Sequence, residues 1–98
     1  MTIEKTKNGT ALTIKLTGRL DTITAPELEA ELKTALEGIT ELVFDLSGLE
    51  YISSAGLRTL LQAQKTMTKQ GSMKVINVGE IVGEVFEITG FADILTIE

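Results

Sequence analysis

The stretch Asp45-Leu46-Ser47-Gly48-Leu49-Glu50-Tyr51-Ile52-Ser53-Ser54-Ala55-Gly56-Leu57-Arg58 joins two hydrophobic patterns of different period. On its N-terminal side, Leu42-Val43-Phe44 and Leu46 form a short, nearly unbroken apolar run. Such a run predicts an interior strand covered by helices on at least one face. On its C-terminal side, Leu57, Leu60, Leu61 and Met67 recur at helical spacing and predict a helix from about Ser54 to Gln70. Lys65 and Lys69 lie near the negative end of that helix, and Gly71 marks its stop. A strand that leads into a helix in this way predicts a crossover connection, with the strand parallel to its neighbour.

Working outward, Leu12, Ile14 and Leu16 alternate with Thr13, Lys15 and Thr17, a period of two that gives one apolar and one polar face. Asn8-Gly9 is a strong turn dipeptide, so Thr2 to Lys7 is expected to pair with that strand as an antiparallel edge arm. From Ala25 the apolar residues Leu28, Leu32, Ala35, Leu36 and Ile39 follow a helical rhythm, opened by a Thr24/Glu27 capping box with Pro26 in the first turn and closed by Gly38. Beyond Gly71, Met73, Val75 and Ile76 predict a strand. Asn77 and Glu80 predict a second capping box, for a helix carrying Ile81, Val82, Val85, Phe86 and Ile88 and ended by Gly90-Phe91. Ile94 to Ile97 completes the expected order as a short terminal strand. The prediction is therefore a single α/β domain over residues 1–98, a mostly parallel sheet of four to five strands with an N-terminal antiparallel edge strand and three main helices.

Composition narrows the function. A formal charge of −5, with no two basic residues adjacent, argues against a nucleic-acid surface. The absence of Cys and His removes disulfides, thiolate chemistry and the usual transition-metal ligands, so neither a metal nor another cofactor is expected. Neither a secretory leader nor an apolar run of about 18 residues is visible, which predicts a cytoplasmic chain without membrane insertion. An enzyme is not expected: a Ser-Lys pair would need a lysine near Ser54, whereas Lys65 should lie about three helical turns away. No Gly-x-Ser-x-Gly elbow or Gly-x-x-x-x-Gly-Lys loop occurs.

In open α/β sheets, functional groups gather where strands end and helices begin. Two stretches qualify, Gly18-Arg19-Leu20-Asp21-Thr22 and Asp45 to Gly56. The second of these, with Asp-Leu-Ser at the end of a strand, a turn, Tyr51-Ile52, a Ser-rich step and Gly56-Leu57 opening a helix, resembles the STAS family. Gly18-Arg19-Leu20-Asp21 and the tail from Asn77 through Ile88-Thr89-Gly90-Phe91 to Leu95 extend the resemblance over nearly the whole chain. The soluble bacterial members of that family are anti-sigma factor antagonists. The resemblance implies binding to an anti-sigma factor that is a serine/threonine kinase of the histidine-kinase-type ATPase fold, which frees a sigma factor. It further implies that the kinase phosphorylates a Ser at this helix start and so abolishes binding, with a Ser/Thr phosphatase as a possible further partner. Carried over residue by residue, the phosphoacceptor falls on Ser54, and the partner-binding residues on Asp21, Thr22, Ser53, Ser54, Gly56, Leu57 and Arg58. Well-known members have Asp before the acceptor and Ser or Thr after it, where this chain has Ser53 and Ala55, so Ser53 competes for the assignment.

Plainer readings stand beside these. A Ser at a helix start serves as an N-cap, the role favoured for Ser53. Asp21 is equally a turn residue accepting backbone N–H bonds, and Asp45 a strand terminator. Gly48 and Gly56 fit close packing better than a ligand. Arg19 and Arg58 read as solvated residues on the loop face. A STAS module serving a stress-signalling complex or a transporter, without phosphorylation, is the alternative function.

Overall fold

A computed structural model describes residues 1–98. Its elements are β1 (Thr2–Asn8), β2 (Ala11–Leu20), α1 (Ala25–Ala35), β3 (Glu41–Ile52), α2 (Ser54–Gln70), β4 (Ser72–Ile76), α3 (Glu80–Thr89) and a single turn, α4 (Phe91–Ile94). The sheet order is β1-β2-β3-β4, with β1 antiparallel to β2 and the other pairs parallel. The expected α/β class, edge arm and parallel core are all present.

The hairpin joining β1 and β2 turns at Gly9, whose φ of 65° suits a residue without Cβ. Leu12, Ile14 and Leu16 of β2, Leu42, Phe44 and Leu46 of β3, and Met73 and Val75 of β4 are buried. With Leu28 and Leu32 of α1, Leu57, Leu60, Ala63 and Met67 of α2, and Val82 and Phe86 of α3 they belong to one core cluster. Period-two strands present alternate residues to that core, which leaves Lys15, Thr17 and Ser47 exposed on the other side.

Several expectations are corrected. The third strand does not stop at Leu46 but continues to Ile52, because its second half pairs with the end of β2 through two register shifts, between Lys15 and Thr17 and between Gly18 and Arg19. Asp45 thus sits within a strand instead of ending it. Neither capping box forms. Thr24 has helical φ and ψ and makes no side-chain cap bond to α1. Asn77 adopts φ 55° and donates its amide to Asp45, while Gly79 occupies the cap position of α3. Gly71 ends α2 with extended backbone, not a left-handed cap. A Cβ there would overlap the Thr40 carbonyl, so close approach is what demands glycine. Leu61 is only half-buried, and Ile81 and Ile88 are exposed, since the inner stripe of α3 is Val82 and Phe86. The terminal strand is reduced to one bridge between Val75 and Ile97, because α4 uses Ile94 as its last residue.

Candidate functional site

The carboxyl ends of β2 and β3 finish level, Leu20 opposite Ile52, and the two helices that follow them start side by side. Ser53 N–H donates to the Leu20 carbonyl at 2.9 Å, which ties the start of α2 to the end of β2. The segment between β2 and α1 is a small hydrogen-bonded frame. Asp21 Oδ1 accepts the N–H groups of Ile23 and Thr24, each at 3.0 Å. Thr24 Oγ1 accepts Asp21 N–H at 2.9 Å and donates to the Arg19 carbonyl at 2.8 Å, while Ala25 N–H reaches the Asp21 carbonyl at 2.8 Å. The carboxylate of Asp21, not the hydroxyl of Thr24, therefore serves the amides ahead of α1. The Thr24 N–H bond is the chief reason the Asp21 carboxyl titrates below its ordinary value; the Ile23 N–H, the Thr24 hydroxyl and Arg19 act in the same direction. Arg19 approaches Asp21 at 3.8 Å and lies over the Tyr51 ring, 4.3 Å from its centroid. That stacking keeps the guanidinium against the body of the domain.

This frame holds Thr22 and Ile23 outward, and Ile23 is 84% exposed. An isoleucine so displayed on a rigid turn was missed in reading the sequence, although it is the one large apolar residue between Leu20 and the helical stripe.

The two serines have different surroundings. Ser53 is half-buried in extended conformation, and its Oγ accepts the Gly56 N–H at 3.4 Å, as an N-cap does. Ser54, the first residue of α2, is exposed, and its hydroxyl bonds to nothing. Beneath them, Gly56 is buried. A Cβ at Gly56 would come within 2.7 Å of Leu20 Cγ, 2.8 Å of Ile52 Cγ1 and 3.0 Å of the Leu20 carbonyl. Leu57 is also buried. Gly56 and Leu57, expected among the contact residues, thus hold the face from below, because the core takes their whole surface. Arg58 is exposed and lines an open depression of about 380 Å³ with Thr22, Pro26, Glu29, Ala55, Thr59 and Gln62. Asp21, Thr22, Ser53, Ser54 and Arg58 are thereby brought together at one end of the sheet.

Asp45 lies apart from this face. Its Oδ1 accepts Ser47 N–H at 3.0 Å and the Asn77 amide at 3.1 Å, and these bonds, led by that of Ser47, lower its pKa, with Lys15 adding to the effect. It pins the β4–α3 connection to β3. No group of three or more His, Cys, Asp or Glu side chains is placed to hold a metal, and no helix is long and apolar enough to cross a membrane.

The family model for the STAS domain matches residues 2–98. The chain belongs to the STAS family. Among curated STAS relatives, the anti-sigma-B factor antagonist of Staphylococcus aureus is 30% identical over 98 residues, covering 97% of this chain and 90% of that protein. BtrV of Bordetella bronchiseptica, a candidate anti-sigma factor antagonist, is 40% identical over 84 residues, 84% of this chain and 72% of BtrV. In three dimensions the chain matches an anti-sigma factor antagonist from Mycobacterium paratuberculosis with a TM-score of 0.88 at 24% identity, covering 98% of this chain and 83% of that one. It also matches the Bacillus cell-fate determinant SpoIIAA in its phosphorylated form, with a TM-score of 0.76 at 18% identity, covering 99% of this chain and 91% of that one. These structural likenesses establish a common STAS fold.

Proposed function

We propose that this STAS protein is an anti-sigma factor antagonist, a cytoplasmic binding protein and not an enzyme. Its partner is an anti-sigma factor with serine kinase activity, and binding frees a sigma factor. The docking face comprises Asp21, Thr22, Ile23, Ser53, Ser54 and Arg58. The kinase transfers the γ-phosphoryl group of ATP to Ser54 Oγ, with release of ADP and the hydroxyl proton, and the phosphorylated protein dissociates. A Ser/Thr phosphatase restores the binding form.

The observation that carries this reading is the contrast between the two serines: Ser53 has its oxygen committed to the Gly56 amide, whereas Ser54 offers an exposed hydroxyl with no partner. Phosphate adds about −1.5 to −2 charges at neutral pH, and at the first turn of a helix the fold accommodates it beside the positive end of the dipole. Within an interface the same charge must be desolvated or face like charge, at a cost of several kcal/mol. About 1.4 kcal/mol is a tenfold change in affinity, so release requires no refolding. Asp21, whose pKa is held low by its backbone bonds, stays ionised at neutral pH and adds to the negative field.

The test is to co-purify the protein with candidate kinases, add ATP and map the modified residue by mass spectrometry, then compare Ser54→Asp with Ser54→Ala in binding. Modification at Ser54 and weaker binding of Ser54→Asp are expected. Equal binding of the two variants would reject the switch, and modification confined to other residues would reject the site.

A further inference from the structure

Arg58 occurs four residues after Ser54 on α2, one helical turn away and on the same face. The three ion pairs of the fold are Lys5–Glu31, Arg19–Asp21 and Lys74–Glu98, and Arg58 belongs to none of them. Its own helix offers no competitor, since α2 contains neither Asp nor Glu. Across the depression, Glu29 of α1 faces Arg58 without pairing with it. Of the other charged groups near this end of the sheet, Arg19 is engaged by Asp21 and Tyr51, and Glu50 precedes the helix on β3.

Side chains on a helix lean toward its N-terminus, so an arm as long as that of Arg58 has the turn that Ser54 begins within its reach. An anion placed N-terminal to a cation at a spacing of four is also the favourable orientation of such a pair. We propose that Arg58 is the internal receptor for phosphate on Ser54, closing a guanidinium–phosphate pair across the first turn of α2. The inference rests on the reading of Ser54 as phosphoacceptor. Guanidinium binds phosphate through parallel N–H bonds with a geometry that an ammonium does not reproduce. Phosphorylation then changes the docking face twice, adding negative charge at Ser54 and withdrawing the positive charge of Arg58 from the partner.

The experiment is kinase-independent, so its failure is distinct from that of the parent reading. The full chain is produced with phosphoserine encoded genetically at position 54, and the phosphate is titrated by phosphorus NMR at low and high salt. Free phosphoserine has its second pKa near 6. The wild-type phosphate is expected to titrate about half a pH unit or more below that of the Arg58→Gln variant at low salt, a roughly threefold difference in proton affinity. Arg58→Lys should fall between them, and high salt should narrow the gap. Thermal unfolding of the phosphorylated forms should place Arg58→Gln below wild type, with the unphosphorylated forms alike. Coincident titration curves for wild type and Arg58→Gln at low salt would overturn the pair, whatever the kinase assay finds.

Discussion

Replacing Ser53 and Ser54 one at a time by alanine separates a serine that holds the structure from one that is offered to a partner. In the folded chain Ser53 Oγ accepts the Gly56 N–H, one of the unpaired donors at the start of α2. Ser53→Ala removes that acceptor from a half-buried helix start, and loss of such a cap costs about 1 kcal/mol. For a domain of 60 to 100 residues that corresponds to a fall of about 4–8 °C in Tm. Ser54→Ala removes no hydrogen bond and puts a better helix former at an exposed first-turn position, so its effect should lie within about 0.5 kcal/mol of zero. The assay is urea unfolding followed by circular dichroism, with the partner-binding and kinase reactions run on the same preparations. The expected pattern is crossed: Ser53→Ala is less stable but still accepts phosphate, whereas Ser54→Ala is stable and does not. If Ser54→Ala lost more stability than Ser53→Ala, the assignment of cap and acceptor would be reversed and the reasoning refuted.

Truncation of the displayed isoleucine, Ile23→Ala, should leave the unfolding midpoint nearly unchanged, because the side chain is 84% exposed, and should weaken partner binding by about tenfold if it is an interface anchor; calorimetric titration checks both the affinity and its loss. Gly56→Ala should destabilise by about 1–2 kcal/mol despite the helix-propensity gain of up to about 1 kcal/mol, since its new methyl meets Leu20 and Ile52 inside ordinary contact distance; an unchanged urea midpoint would show that α2 can shift freely. Asp21 and Asp45 both have folded-state pKa values below the ordinary 3.8, so the unfolded chain binds more protons than the folded one as acid is added. Their contribution to stability is present above the ordinary carboxylate range and disappears as pH falls through the depressed values. Urea midpoints measured from pH 6 down to pH 2 should therefore drop, and less steeply in Asp45→Asn.

Most of the architecture could be read from periodicity, and particular residues show why. Leu12, Ile14 and Leu16 alternate with polar neighbours and are buried on one face of β2; Leu28 and Leu32, or Leu60 and Met67, repeat at helical spacing and face the core. These patterns report burial, which is what forms the elements in the first place. Polar residues that serve distant partners escape such a reading. Asn77, three residues before Glu80, looks like the start of a capping box, yet its amide reaches Asp45, 32 residues earlier. Thr24 has the same local signature, but its hydroxyl is turned back to the Asp21 N–H and the Arg19 carbonyl, away from the first turn of α1. At Asn77 the local rule lost to a bond with another strand, and at Thr24 to a competing turn within the same connection. Of the candidate site, the position and residue types were legible from the order strand, turn, helix. The cap was legible as well, since Ser53 stands just before the expected start of α2 and its Oγ does accept the Gly56 N–H; the outward display of Ile23 was not, because it depends on how Asp21 and Thr24 fold the turn ahead of α1.

The full length of β3 explains why the site exists where it does. Ser47-Gly48 looks like a turn, and a strand ending at Leu46 would leave residues 47–53 as a loop with freedom to move. Instead, two register shifts along β2 let β3 stay paired to Ile52, and Gly48 permits this because a Cβ there would press to 2.8 Å from Thr17 Oγ1. Bulges of this kind increase local twist and re-aim the strand that follows. Here the result is that Leu20 and Ile52 end together, so the Leu20 carbonyl receives the Ser53 amide and Gly56 fits against Leu20. Ser54 is thus the first residue past a fully paired strand and a satisfied cap. A hydroxyl fixed there, and not on a mobile loop, keeps the docking face preorganised, so the charge added by phosphorylation acts on binding directly instead of being relaxed away by motion of the chain.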